Sequence, residues 1–285
     1  MRVKGKLRSF RVLLQYDLVH GCNASWKYIL LCAGLFLILG ISYIVEMRNV
    51  FAYANIESPV GLLDQWVYIF RGQLPPGQAV EQMILPEPGW LVVQIMPIFL
   101  VLLYPTRDLY DGGGRNILIR SKSRAAWWFS KNIWSWAMVF LYYLGLFLVC
   151  TGISLLAGGG LISDAAMVHT MGRTLDVSAG NLFICFFSPI ISALVHVSLE
   201  LLISVVWSPF FALLVILTVH LMAVYWQVPI LVGNISMFYR SCLFQPDGGA
   251  WGAALAVSGV LIVVCLLIGI ACVRRKDILS KGDLK

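Results

Sequence analysis

A stripe of polar side chains at intervals of four residues carries the first chemical signal in the sequence. Ser188, Ser192, His196, Glu200 and Ser204 lie in an otherwise apolar stretch, and helix positions four apart share one face. Hydroxyl, imidazole and carboxyl groups on one face can line a translocation pathway, relay protons, or serve a structural or coupling role in which His196 satisfies Glu200. The sequence leaves these three roles of Ser188, Ser192, His196 and Glu200 open.

The composition explains why a carboxyl group in such a stretch is unusual. The chain has 285 residues, of which 60% are hydrophobic and only 12% are charged. An ordinary globular protein carries about 25% charged residues, so this chain has too little charge to cover a soluble domain of its size. The composition excludes a cytosolic enzyme and a small secreted module, and it predicts an all-α polytopic integral membrane protein.

Metal sites and catalytic motifs are not expected. The seven cysteines include no C-x-x-C pair and no histidine at metal-ligand spacing. The sequence contains no G-x-S-x-G or H-E-x-x-H motif, and no G-x-x-x-x-G-K-[ST] phosphate-binding loop. We therefore expect a chain without catalytic residues, metal or cofactor of its own. The net charge of +7 comes mainly from basic clusters beside apolar runs, which is a topology signal and does not predict nucleic-acid binding.

Apolar runs of about 20 residues are long enough to cross a bilayer as helices. Four uncharged runs fit one span each. A longer run, from Val177 to Tyr239, is charged only at Glu200 and divides at Trp207-Ser208-Pro209, because proline interrupts a helix. The sequence thus predicts one transmembrane domain over 1–285, with six helices at about 28–45, 88–105, 133–156, 182–206, 209–226 and 250–273.

The basic residues predict the orientation of these spans. Of the 21 lysines and arginines, 17 lie in the N-terminal segment, the segment after the second span and the C-terminal tail, and four lie elsewhere. Basic residues concentrate on the cytoplasmic side of a membrane, so both termini are expected to be cytoplasmic. This requires an even number of spans, which six satisfies. The expected location is the cell (plasma or inner) membrane.

Two segments outside the spans are expected to interact with the membrane. Residues 1–26 have apolar side chains at nearly helical spacing among basic ones, which predicts a cytoplasmic amphipathic helix in the membrane interface that turns into the bilayer at Gly21. Residues 227–249 are apolar but too short to cross a bilayer. They are expected to form an external re-entrant helical hairpin between spans five and six, with an ordinary hydrophobic outer loop as the alternative.

The segment 105–132, between the second and third spans, is the most informative for function. It has an acidic start, a glycine break and an apolar-basic stretch that ends near Lys131. On residue chemistry alone it is either a solvated loop or a docking surface for a soluble partner.

In this segment the sequence resembles the permease subunits of type-2 ATP-binding-cassette exporters. Their loop between the second and third spans runs from an acidic residue through Gly or Thr and a Leu-rich turn to Ser-Arg and a Lys that opens the third span. Here those places are occupied by Asp108 or Asp111, Gly112, Leu118, Ser123-Arg124 and Lys131. Lys122 replaces the proline that is frequent ahead of Ser-Arg. The basic exit from the last span, 272–278, is also similar.

The resemblance implies a defined set of partners. Such permeases pair with a second permease subunit, identical or related, and each docks a soluble ATPase that binds ATP and Mg²⁺ and drives the helices through the cytoplasmic loops. The implied coupling residues are Asp108, Asp111, Arg115, Arg120, Lys122 and Arg124. The interior composition suggests a hydrophobic, amphipathic or peptidic substrate. The alternative function is a secondary transporter driven by an ion gradient through His196 and Glu200.

Overall fold

The computed structural model describes residues 2–54, 61–75, 87–110, 123–161, 178–244 and 248–275. Within these ranges the chain is helical apart from turns and one isolated bridge between Ser241 and Gly249, which confirms the all-α prediction for the described residues. The α-helices are α1 (Arg2–Ala54), α2 (Leu62–Ile69), α3 (Pro88–Tyr110), α4 (Arg124–Leu156), α5 (Ala179–Val206), α6 (Pro209–Tyr225) and α7 (Trp251–Arg275).

Five of the described helices are long and apolar enough to cross a membrane, judged by length and composition: α1, α3, α4, α5 and α7. Helix α6 is apolar but has 17 residues. At 1.5 Å per residue it is about 26 Å long, slightly less than the ~30 Å hydrocarbon core of a typical bilayer. The structure therefore supports five crossing helices and one shorter apolar helix over the six predicted ranges.

Helix α1 is one continuous helix of 53 residues, so the predicted turn at Gly21 is wrong. Gly21 lies where α1 approaches α4 closely, because a side chain there would overlap the indole ring of Trp134. Leu13 and Asp17, which precede Gly21 by two turns and one turn, are also buried. Part of the amphipathic pattern that predicted an interfacial helix thus reflects packing of α1 against the helical bundle.

Helix α5 is the central helix and contacts α3, α4, α6 and α7. Proline has no N–H, so the carbonyl four residues before it loses its helical hydrogen bond. The carbonyl of Cys185, four residues before Pro189 in α5, accepts a hydrogen bond from Trp66 Nε1 at 3.0 Å. In α3, the carbonyl four residues before Pro97 accepts one from the Tyr142 hydroxyl at 3.0 Å. Aromatic donors from neighbouring elements therefore satisfy both carbonyls.

The segment between α6 and α7 differs from its prediction. Its described residues form two short 3₁₀ helices, Val232–Ser236 and Phe238–Arg240, in place of the longer arms expected for a helical hairpin, and the external re-entrant placement of the segment stays a prediction. The Asn234 side-chain amide donates to the carbonyls of Trp226 and Leu231 at 2.9 and 3.1 Å, which favours tight turns over a continuing helix. The first 3₁₀ helix packs against α5, α6 and α7.

The described residues of the predicted segment 105–132 are helical on both sides of the gap at 111–122. Helix α3 continues to Tyr110, and α4 begins at Arg124, where the Ser123 hydroxyl accepts a hydrogen bond from the Ala126 N–H at 3.4 Å. A serine at this position is a common N-cap. Residues 111–122, between Tyr110 and the N-cap Ser123, lie outside the described residues.

Two glycines of α7 provide a matched test of the packing between α4 and α7. A methyl group at Gly269 would overlap the Trp128 ring of α4, whereas one at Gly259 would meet no atom within 4 Å. We expect Gly269→Ala to lower the free energy of unfolding by about 1–3 kcal/mol, as overpacking does. Gly259→Ala should be neutral or slightly stabilising, because alanine favours helix. Thermal unfolding of the detergent-solubilised protein checks both, and equal midpoints would contradict the observed packing.

Candidate functional site: a buried charge cluster beside residues 111–122

The strongest electrostatic feature of the described residues is a completely buried lysine. The Lys131 side chain, in α4, is 0% exposed. Its Nζ lies 2.6 Å from Asp17 Oδ1 of α1 and 2.5 Å from Asp108 Oδ2 of α3. The two aspartate side chains are only 2% and 5% exposed. We refer to these residues as the Asp17–Lys131–Asp108 triad.

Hydroxyl groups supply further hydrogen bonds to the two carboxylates of the triad. The Tyr104 hydroxyl donates to Asp17 Oδ1 at 3.0 Å, and the Ser130 hydroxyl donates to Asp17 Oδ2 at 2.5 Å. The Tyr16 hydroxyl donates to Asp108 Oδ1 at 3.4 Å. The Tyr104 ring also lies beside the lysine ammonium, with its centroid 4.3 Å from Nζ, which is within cation–π distance.

This arrangement satisfies the conditions under which charges can be buried. Removing an ion from water costs several kcal/mol, which close opposite charges and additional hydrogen bonds must offset. The triad provides both. Since its three members belong to three different helices, α1, α3 and α4 cannot separate here without leaving an uncompensated charge. The triad therefore holds the three helices in a fixed relation at this level of the bundle.

A second contact ties the start of α4 to the end of α7. The Arg124 guanidinium donates to the carbonyls of Val273 and Arg274, at 3.3 and 2.7 Å. Carbonyls in the last turn of a helix lack intrahelical donors, and a cation there also interacts favourably with the helix dipole. The residues that border the 111–122 segment, Asp108 before it and Arg124 after it, are thus connected to α1, α4 and α7.

The predicted coupling residues divide into two groups. Asp108 and Arg124 are described, and both bind other helices through the contacts above. Sequence analysis missed that Lys131 pairs with Asp108 and with Asp17, although an acidic residue in a basic amphipathic segment and a lysine among tryptophans were available as signals. The remaining predicted coupling residues lie outside the described residues: Asp111, Arg115, Arg120 and Lys122.

The polar stripe of α5 faces the interior of the bundle. Each side chain is at most 1% exposed, and the set comprises Ser188, Ser192, His196, Glu200 and Ser204. His196 Nδ1 lies 2.8 Å from the Ser192 carbonyl, and since a carbonyl can only accept, this nitrogen carries the hydrogen. The His196 ring packs against His220 of α6, with ring centroids 4.0 Å apart. The sequence offers His220 as a possible third partner of His196 and Glu200, with simple packing in an apolar run as the alternative.

Glu200 does not form the pair with His196 that its structural role, one of the three left open by the sequence, would require. Both of its carboxyl oxygens are buried, and neither has a hydrogen-bond partner. His220 Nε2 and the Ser188 hydroxyl are also buried without a hydrogen-bond partner. Buried polar atoms without partners are uncommon, because each costs roughly 1–3 kcal/mol. The described interior beside α5 and α6 therefore contains buried oxygen and nitrogen atoms for which the surrounding residues provide no hydrogen-bond partner.

A third buried acid lies in the short helix α2, which the sequence did not predict. Asp64 is 0% exposed. Burial raises the pKa of its carboxyl from the ordinary 3.8 to about 7, although the Gly61 N–H, which donates to Oδ2 at 2.8 Å, acts in the opposite direction. The other carboxyl oxygen has no partner. The neighbouring Gln65 donates to the Ser154 hydroxyl of α4 at 2.6 Å, which holds α2 against the bundle.

Together the long apolar helices and the buried charges define a multi-pass helical membrane protein. The chain belongs to the protein family described as "Protein of unknown function (DUF2705)", whose pattern matches residues 75–279. Neither a curated protein nor a solved structure matches the chain. The family match covers α3 to α7 and includes Asp108, Lys131 and the polar stripe, whereas Asp17 precedes it.

Removal of the lysine charge tests the triad. In Lys131→Met, two buried carboxylates lose their counter-charge, so we expect the free energy of unfolding to fall by about 3–5 kcal/mol. Adding Asp17→Asn and Asp108→Asn to this variant should recover most of the loss, because the uncompensated charges are then gone. Equilibrium unfolding of the solubilised protein measures both effects.

The matched control for this experiment is Lys27→Met. Lys27 is an exposed lysine of α1, and its removal should change the unfolding free energy little. If Lys131→Met were as stable as Lys27→Met, Lys131 would not be a buried ion-pair partner.

The Asp64 carboxyl predicts a pH dependence. Its pKa of about 7 in the folded protein exceeds the unfolded value, so the folded state binds its proton more tightly. The resulting stabilisation is complete below about pH 4 and is lost as the pH rises towards 7. Asp64→Asn should therefore be more stable than wild type at pH 8, with a smaller difference at pH 5. Thermal midpoints of wild type and Asp64→Asn at both pH values check this. An unchanged difference between pH 5 and pH 8 would exclude Asp64 as the responsible group.

Proposed function

We propose that this chain is the membrane-spanning permease subunit of an ATP-binding-cassette exporter. In this proposal six helices cross the cell membrane with both termini in the cytoplasm, α6 being the fifth span. A second permease subunit, identical or related, completes the translocation pathway. A separate soluble ATPase, which binds ATP and Mg²⁺, docks on the cytoplasmic face. The substrate is hydrophobic, amphipathic or peptidic.

The observation that carries the proposal is the anchoring of both borders of the 111–122 segment. A partner can drive a membrane protein between two states only if it interacts differently with each of them. Force applied to a loosely tethered loop would be lost in the loop. Here Asp108 belongs to the triad, 2.5 Å from Lys131, and Arg124 binds the end of α7 at 2.7 Å. A displacement of the segment would reach α1, α3, α4 and α7 directly.

The polar stripe supports the proposed pathway. A carboxyl group inside a membrane is costly and usually faces a bundle interior or a watery cavity. Glu200 and His196 face the interior of the bundle, and both oxygens of Glu200 are without a partner. In the proposal, separation of α5 from its neighbours during transport gives Ser188, Ser192, His196 and Glu200 access to water or substrate.

The same cluster favours a second candidate, a secondary transporter driven by an ion gradient. The two imidazoles of His196 and His220 lie 4.0 Å apart, and Glu200 follows His196 by one helical turn. Such a group of titratable side chains could bind and release a transported ion. The two candidates differ in their source of energy, and that difference can be measured.

Charge reversal in the 111–122 segment tests the first candidate. We expect the affinity-tagged chain, purified in mild detergent from the cells that encode it, to retain a soluble chain with a G-x-x-x-x-G-K-[ST] motif and vanadate-sensitive ATP hydrolysis. The triple variant Arg115→Glu, Arg120→Glu and Lys122→Glu should reduce the retained ATPase activity at least about tenfold, because the docking charges are inverted.

The control variant is Arg48→Glu, which reverses an exposed arginine near the opposite end of α1 and should leave the retained activity unchanged. If the purified chain alone moved substrate across liposomes under an ion gradient, without any ATPase, the exporter proposal would fail and the second candidate would replace it.

A further inference from the structure

The turn between α5 and α6 exposes three aromatic side chains next to one another. Trp207 is 66% exposed, Phe210 is 76% exposed and Phe211 is 40% exposed. The rings of Trp207 and Phe211 pack edge to face, with their centroids 5.0 Å apart. We refer to these three residues as the aromatic tip. Contiguous exposed apolar patches mark surfaces that contact a membrane or another protein, so the aromatic tip requires an occupant.

The aromatic tip lies at the end of the bundle that carries the triad. Val205, the last residue but one of α5, is buried in one cluster with Trp127 of α4 and Val273 of α7. The Trp127 ring in turn lies 5.6 Å from Lys131 Nζ. The two arginines that end α7 directly follow Val273 and are exposed. Aromatic and basic residues at one level are typical of the boundary between a membrane and water.

The absence of charge in the turn argues against a soluble protein as the occupant. The sequence from Leu201 to Tyr239 contains no Asp, Glu, Lys or Arg. A soluble partner is positioned and selected largely by complementary charges, and the turn offers none. A hydrocarbon phase, by contrast, excludes charge and accepts aromatic rings.

The backbone of the turn supplies hydrogen bonds that a lipid phase could not replace. The Ser208 hydroxyl accepts from the Phe211 N–H at 3.2 Å, and the Ser208 carbonyl accepts from the Ala212 N–H at 3.0 Å. Pro209, which begins α6, has no N–H. The Trp207 N–H donates back into α5 at 2.9 Å. These contacts lower the cost of removing the turn from water.

The aromatic tip is continuous with an exposed apolar face of α6. Phe210, Leu214, Leu217 and Leu221 follow one another at intervals of three or four residues, and all four are exposed. Side chains at this spacing lie on one face of a helix. The apolar surface of the tip therefore continues along α6 without interruption, as expected of a surface that faces lipid along its whole length.

The length of α6 agrees with this placement. The helix is about 26 Å long, slightly less than the ~30 Å hydrocarbon core of a bilayer. Exposed aromatic residues stand at both ends, Trp207 before the helix and Tyr225 and Trp226 at its far end. Tyrosine and tryptophan belts mark the two faces of the hydrocarbon core. A helix of this length and with these ends places its first turn inside the lipid.

We propose that the aromatic tip is inserted into the lipid leaflet at this end of the bundle. Phe210 and Phe211 lie among the acyl chains, and the Trp207 indole lies at the level of the ester groups. The occupant is phospholipid, and neither a second copy of the chain nor a soluble protein covers this surface. The proposal does not depend on a partner ATPase, so it can fail while the exporter proposal stands.

Site-specific photocrosslinking identifies the occupant of the aromatic tip. The full-length Phe210→p-benzoylphenylalanine variant is irradiated in the membranes of the cells that encode the protein. After purification it is irradiated again in vesicles of phosphatidylethanolamine and phosphatidylglycerol. We expect mass spectrometry to show the mass increase of a phospholipid on the peptide that contains residue 210, in both samples. The matched control is the same replacement at Phe140, an exposed residue in the middle of α4, which should also yield phospholipid adducts.

A fluorescence measurement tests the position of Trp207 without an unnatural residue. Phosphatidylcholine brominated on its upper acyl carbons quenches tryptophans that it contacts. Trp207→Phe should lower the fraction of the protein emission that this lipid quenches, because an indole in contact with lipid is lost. Trp134→Phe removes a fully buried indole and should not lower that fraction. This pair decides the question if the Phe210 variant does not fold, as judged by gel filtration.

Three results would overturn the proposal. The first is a crosslink in cell membranes from residue 210 to a second copy of the chain or to another polypeptide. If that polypeptide were the ATPase, the same result would support the exporter proposal. The second is an absence of phospholipid adducts at residue 210 when the Phe140 control yields them, which would place the tip in water. The third is an unchanged quenched fraction in Trp207→Phe.

Discussion

The burial of Lys131 is the constraint on which the arrangement of the described helices depends. An ammonium group with no exposure to water, in a chain that is 60% hydrophobic, requires opposite charges in direct contact. Asp17 and Asp108 provide them at 2.6 and 2.5 Å. Because the two acids come from different helices, a single ammonium determines how α1, the end of α3 and the start of α4 meet.

Other features of the bundle follow from this constraint. Asp17 can reach Lys131 only if the N-terminal segment continues as helix alongside α4, and the glycine one turn later, Gly21, permits that approach by leaving room for Trp134. Beyond the triad, Arg124 extends the connection to the last turn of α7. The helix ends on this side of the bundle are therefore linked electrostatically, whereas the polar stripe of α5 is held mainly by packing and leaves Glu200 without a partner.

Apolar runs bounded by charges were sufficient to locate the long apolar helices, because a stretch of some 20 apolar residues has few alternatives to a long buried or membrane-embedded helix. The same reasoning failed at Gly21 and Lys131, where a glycine and a lysine were interpreted as the ends of helices. Lys131 is paired with residues 23 and 114 positions away, and no local pattern encodes a partner at such distances. A charge next to an apolar run can mark the membrane edge or an internal ion pair, and only the fold distinguishes them.

The polar stripe of α5 also combines a feature that the sequence predicted with one that only the fold reveals. A period of four residues was enough to predict a shared polar face, and its members are buried together. The contact of His196 with His220 depends on how α5 and α6 pack, which the period of one helix cannot specify. Likewise, helix α2 and its buried Asp64 lie in a stretch of only eight helical residues, too short for periodicity to distinguish from a loop.

The most direct test of this account is the distance from Lys131 Nζ to the carboxyl carbons of Asp17 and Asp108 in lipid bilayers. Solid-state NMR of protein labelled with ¹⁵N-lysine and ¹³C-aspartate measures it through dipolar recoupling, with Lys131→Met to assign the signal. The account predicts that Lys131 Nζ is in direct ion-pair contact with both carboxyl groups. A Lys131 signal without dipolar coupling to either aspartate would contradict it.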